Sequence, residues 1–215
     1  MRSDNTLRAH ESGKLKVIFV TSWSENNREV FGLSLNNHCA YCNSHGYELA
    51  NIEEPYNKFV DTDRIRRMFR DHDVVVSIGT DVMIQKDWPL EQFLPIPAAG
   101  MCRQIDDSAY NADLVVWYRS SLTYELLAAL DDHQYEFVHG QAAMNALAET
   151  VDPQYITNMP LLQIAAPEMN PGVDYSGVNV AEYFAIHYHT MGAVPVPSDK
   201  AAAMRSRWSP SRRSP

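Results

Sequence analysis

Short apolar runs alternate with helical stripes through the first third of the chain. Residues 16–20 form an almost unbroken apolar run of the kind buried on both faces of a sheet. Residues 21–27 are polar and predict the loop that follows. Across 30–44, Phe31, Leu35, Cys39 and Cys42 recur at three- and four-residue spacing, which predicts a helix with one buried stripe. Gly46 stands where a helix C-terminal glycine belongs. Residues 47–51 predict a second strand, and 61–70 a second helix with Ile65, Met68 and Phe69 inward. Residues 74–78 predict a third strand of buried type. A β-α-β-α-β order implies a parallel sheet with right-handed crossovers, hence an α/β fold.

The second half is more mixed. Residues 98–102 and 114–118 predict strands, 121–132 and 140–150 helices, and 161–166 a short strand. A turn-rich loop over 167–177 precedes an apolar and aromatic stretch that ends in His187, Tyr188 and His189. From Ser198 onward the core pattern stops, and Arg205, Arg207, Arg212 and Arg213 stand among serines and prolines. That composition predicts a disordered basic tail over 198–215, after an N-terminal tail over 1–14 and a folded domain over 15–197.

Composition narrows the class. A chain of 215 residues suffices for one sizeable core, and the net charge of -9 argues against a nucleic-acid or membrane surface on its body. The arginines of the tail are the exception. They suit either an acidic partner or a solvated terminus. No N-terminal apolar stretch marks a leader or an anchor, which predicts a cytoplasmic protein without membrane insertion. Three cysteines suit a reducing compartment. Cys39 and Cys42 make a CxxC inside a helical pattern with no second pair, so they read as core packing. The glycine signatures of phosphate-binding loops and the GxSxG elbow are missing from the sequence.

Asp81 is the residue that draws chemistry. It follows the apolar run 74–78 and Gly79, and Val82, Met83 and Ile84 bury the next segment. A carboxylate between two apolar runs is costly unless it is paired, hydrogen-bonded or bound to a metal. It either closes a turn or meets a ligand at a strand end, where open α/β sheets bind theirs. Thr21 and Ser22, after the first strand, fall on the same rim. Asp81 with one of the late histidines would suit Mn²⁺ or a related divalent ion.

The stretch from Asn36 through Asn37, His38, Tyr41, His45 and Gly46 to Tyr47 resembles the "NHxxYAxxHGY" segment of the galactosyl- and xylosyltransferases that include yeast mannan and plant xyloglucan enzymes. Further pieces follow in the family's order. Asn57-Lys58 is similar to "W-x-K", Gly79-Thr80-Asp81 sits at the "DxD", and Asn111 to Asp113 resembles "N-x-G". Gly140-Gln141 with Asn145 resembles "DQxxLN", and His189 to Gly192 resembles the closing "HxxG". In size the chain is similar to small viral glycosyltransferase domains.

The resemblance implies a GT-A (Rossmann-like) fold, with a central mostly parallel sheet flanked by helices. It implies a metal-dependent glycosyltransferase that moves a sugar from a nucleotide-diphosphate donor, UDP-linked by the family's habit, to a hydroxyl of a glycan or other acceptor. Asp81 and His189 would hold Mn²⁺ or Mg²⁺, with His187 as the alternative to His189. Thr21 and Ser22 would receive the nucleoside, Lys58 the diphosphate and Asn111 the donor sugar, and Gln141 would lie near the reacting carbon. Three positions depart from the pattern: Gly79 replaces the first Asp of "DxD", Gly140 the Asp before Gln141, and Asp113 the Gly of "N-x-G". A retaining reaction is the family's default. An inverting one needs a carboxylate base, for which Asp113 and the pair Asp106-Asp107 are the candidates. The departures also leave the alternative of a non-catalytic or weakly active nucleotide-sugar or carbohydrate-binding relative.

Overall fold

The computed structural model describes residues 14–54, 59–104, 109–137, 139–150, 155–170, 173–188 and 197–207. In chain order the first half contains β1 (Val17–Trp23), α1 (Arg28–His45), β2 (Glu48–Glu53), α2 (Thr62–Met68), β3 (Val74–Ile78) and β4 (Val82–Ile84). The second half adds β5 (Ala99–Arg103), β6 (Tyr110–Tyr118), α3 (Ser121–His133), α4 (Gly140–Thr150), β7 (Ile156–Asn158), β8 (Gln163–Ala165), β9 (Ala185–His187) and α5 (Pro197–Arg207). Six strands form the central sheet in the order β2-β1-β3-β6-β5-β7, and β4, β9 and β8 form a small second sheet. In the central sheet β6 alone runs against its neighbours, so the sheet is mostly parallel.

The pleat sorts the core into layers. Val74, Val76 and Ile78 of β3 join Val17 and Phe19 of β1 beneath α1. Val75, Ile18 and Val20 point the other way, into the layer of Leu126, Leu127, Met144 and Leu147 from α3 and α4. A third cluster joins Val30 of α1, Met83 of β4, Ile164 and Ile186 of the small sheet, and Ala201 and Met204 of α5. The helix ends follow local chemistry. Gly46 closes α1 at φ 70 with its N–H on the Cys42 carbonyl, Asp61 caps α2 through the Arg64 N–H, and Ser120 caps α3 through the Thr123 N–H. Cys42 and Cys102 are buried, Cys39 is partly so, and all three are free thiols.

The structure corrects the sequence reading in three places. β1 does not end at Val20: Thr21 and Ser22 continue it because they pair with Asn51 and Ile52 of β2. β6 begins at Tyr110, and Asn111 and Asp113 belong to it despite their polarity, with the ladder to β5 shifting register between Gly100 and Cys102. Residues 198–207 are not a disordered tail. They lie in α5, whose Ala201 and Met204 are fully buried, so an apolar spacing of three was hidden inside a polar, basic composition. No helix among the described residues is long and apolar enough to cross a membrane.

Candidate functional site

The site is assembled where β3 stops. β6 runs antiparallel to β3 and pairs Leu114 with Ile78, which carries Asn111 and Asp113 past the carboxyl end of β3. β9 runs antiparallel to β4 and pairs His187 with Val82, while the Tyr188 N–H donates to the Asp81 carbonyl at 2.8 Å. The Gly79 N–H donates to the Asp113 carbonyl at 2.7 Å. Three segments far apart in sequence therefore converge on one rim, as expected of an open α/β sheet.

Asp81, Asp113 and His187 form the central group, with one ligand atom of each within 4.8 Å of the others. His187 Nε2 lies 3.5 Å from Asp81 Oδ1 and 3.4 Å from Asp113 Oδ2. The Asn111 amide meets the far ring nitrogen, Nδ1, at 2.9 Å, and its Oδ1 accepts the Asp113 N–H at 2.9 Å. Lys200 reaches in from α5 and donates to Asp81 Oδ2. Burial alone would raise the Asp81 pKa, but His187 and Lys200 outweigh it and hold the carboxyl well below the usual range. Burial would lower the His187 pKa, but the Asp113 and Asp81 carboxylates outweigh it and raise it. Two carboxylate oxygens and one imidazole make a donor set of the kind that suits a hard or borderline divalent ion, and the Lys200 ammonium pairs with the other oxygen of Asp81. An ion on Nε2 would need the ring proton on Nδ1 and the Asn111 amide turned so that its oxygen faces Nδ1 and releases the Asp113 N–H.

Supporting residues hold this geometry. Gln141 Oε1 accepts the Ala112 N–H at 3.2 Å, and Asn145 brackets Tyr110 through both its N–H and its carbonyl, at 2.6 and 2.9 Å. Gln163 donates to the Asn111 carbonyl at 3.2 Å. On the other side, Asn37 brackets Ile84 with two bonds of 2.8 Å, and His38 Nε2 donates to the Val82 carbonyl at 2.8 Å. Tyr41 donates to the Trp88 carbonyl, His45 contacts Asp87 and Tyr47 accepts from the Leu90 N–H. The recognisable stretch of α1 is thus the scaffold of 82–90, the segment that leaves Asp81.

The sequence-predicted residues divide clearly. Asp81, Asp113 and Asn111 come together, and Gln141 braces the backbone between the last two. Ser22 lies at the end of β1 and accepts from Arg64 at 2.6 Å, with Arg64 also on Glu54 and Asp61. Thr21 is fully buried in β1. Lys58, Asp106, Asp107 and His189 lie outside the described residues, and His187 is the histidine found at Asp81. Sequence reasoning missed Lys200 and Arg64. Only the Ala201–Met204 spacing, after Ser198 and Asp199 as helix-start residues, could have hinted at the first.

No protein-family profile matches the sequence, and no curated protein sequence does either. Solved structures do match in shape. A glycosyltransferase involved in the glycosylation of the major capsid of PBCV-1 superposes with a TM-score of 0.65 at 10% identity, over 89% of this chain and 99% of that one. The fold is that of the GT-A glycosyltransferases. GlyE of Streptococcus pneumoniae TIGR4 matches with a TM-score of 0.51 at 10% identity, and 88% of this chain covers 60% of GlyE. The expected α/β class and the mostly parallel sheet of this GT-A fold are therefore borne out.

Proposed function

We propose that this protein is a metal-dependent glycosyltransferase that moves a sugar from a nucleoside-diphosphate donor to a hydroxyl acceptor. One observation carries the reading: Asp81, Asp113 and His187 meet at the carboxyl end of β3 in a GT-A sheet. A divalent ion held there would bind the donor's diphosphate and stabilise its charge as it leaves. Asn111 orients the imidazole, and Gln141 and Asn145 hold the start of β6 so that Asp113 stays beside Asp81. Ser22 and the Arg64–Glu54 pair border the rim that would take the nucleoside. Asp113 then serves as a metal ligand rather than as the base of an inverting reaction. Mn²⁺ and a uridine carrier are the first choices, with a glycan as the acceptor class.

A thermal-shift comparison tests this. UDP, GDP, dTDP and CDP are each added with and without Mn²⁺ to the wild type, Asp81→Asn and Asp113→Asn. A ligand at a hundred times its Kd adds about 2.7 kcal/mol to stability. One nucleotide should raise the melting temperature only with Mn²⁺, and both variants should lose that rise. A Mn²⁺-dependent rise that survives in both variants removes the metal from this group. No rise with any nucleotide overturns the nucleotide-donor reading and leaves the carbohydrate-binding alternative.

A further inference from the structure

We propose that Lys200 is a placeholder cation: its ammonium neutralises Asp81 in the metal-free protein and must leave before a divalent ion can bind. The proposal rests on the metal reading of the Asp81–Asp113–His187 group. The two oxygens of Asp81 face different ways. Oδ1 lies 3.5 Å from His187 Nε2, whereas Oδ2 accepts from Lys200 Nζ. A divalent ion on this carboxylate would stand next to the ammonium, and in a largely buried pocket two such cations repel strongly. Without either cation, Asp81 would be a carboxylate of 9% exposure whose one remaining cationic neighbour among the described residues is His187.

The placement of Lys200 is built into the fold. Its contact with Asp81 spans 119 residues of sequence. Ala201 and Met204, one and four positions further along α5, are fully buried against Val30 of α1 and Met83 of β4. Arg205 pairs with Glu29 at the start of α1. The helix thus delivers the ammonium through its own packed face, and Met83 lies two residues from Asp81 on the strand that leaves the site. Departure of Lys200 removes the ion pair that ties the start of α5 to Asp81.

Electron paramagnetic resonance of free Mn²⁺ measures affinity without nucleotide or turnover, at one pH. Lys200→Met should bind Mn²⁺ at least about ten-fold more tightly than the wild type, and Lys200→Arg, which keeps the charge, should stay within about two-fold. Equal affinity in all three, or weaker binding by Lys200→Met, overturns the placeholder and leaves the metal reading standing. No Mn²⁺ binding by any of them overturns both. A second measurement does not need a variant. In the wild type, saturating Mn²⁺ should speed amide hydrogen exchange in 197–207. Unchanged or slower exchange there also overturns the proposal.

Discussion

His38 shows how one buried side chain sets the acid sensitivity of the protein. It has no exposed surface, its Nε2 donates to Val82, and its Nδ1 has no hydrogen-bond partner among the described residues. Burial pushes its pKa down from 6.5 to about 4, even though the bond to Val82 acts the other way. The folded ring stays neutral while the unfolded one takes a proton near 6.5, so between these values the unfolded chain binds more protons. Stability from this residue is complete above 6.5 and is lost as pH falls toward 4, by about 3 kcal/mol in all. Urea unfolding of wild type and His38→Gln at pH 7.5 and 4.5 isolates the effect, because other groups cancel in the comparison. The variant should be the less stable protein at pH 7.5, yet acidification should cost it about 2–3 kcal/mol less. Parallel losses would mean that His38 is not held neutral.

At the scale of elements, two glycines stand where added side chains would meet their neighbours closely. Gly140 opens α4, and a Cβ there would meet the Val60 nitrogen at 3.0 Å and the Phe59 carbonyl carbon at 3.3 Å. No aspartate fits before Gln141. Gly79 lets β3 and β6 close in: a Cβ would lie 3.2 Å from Asp81 Oδ1 and 3.4 Å from the Asp113 carbonyl. Asp113 stands across the ladder from Gly79. Gly140→Ala should therefore cost about 1–3 kcal/mol, because its neighbour is backbone that cannot swing away. Gly32→Ala, inside α1 with nothing within 4 Å of its Cβ, should instead add about 0.5–1 kcal/mol. Urea midpoints read both, and a Gly140→Ala protein as stable as Gly32→Ala would show that α4 can shift. The same contrast shows what a sequence reveals. α1, β3 and α3 carry their own periodicity and were legible. Asp81 stood out because apolar runs flank it. Asp113 as a partner of Asp81 was not legible, and His187 entered only as the alternative to His189, because the group exists only through pairings of β6 with β3 and β9 with β4.

At the scale of the whole molecule, α5 packs on the small sheet beside the site. The small sheet has Met83, Ile164 and Ile186 on one packed cluster, and the helix adds Ala201 and Met204 to it. Composition over 198–215 predicts that its removal changes nothing, since a solvated basic tail buries no surface. The packing predicts the reverse. Met204→Ala removes a fully buried side chain while leaving Lys200 in the sequence, and large-to-small changes of this type cost about 2–5 kcal/mol. In a domain of this size, 1 kcal/mol shifts the melting temperature by about 2–4 °C, so the variant should melt at least about 4 °C below the wild type. Deleting 198–215 should lower it further, because Asp81 then also loses the Lys200 ammonium. The order wild type, Met204→Ala, deletion is the expected one in a thermal melt at neutral pH. A deleted protein that melts with the wild type would mean that α5 contributes nothing to the fold, and that the small sheet and its carboxylate stand without it.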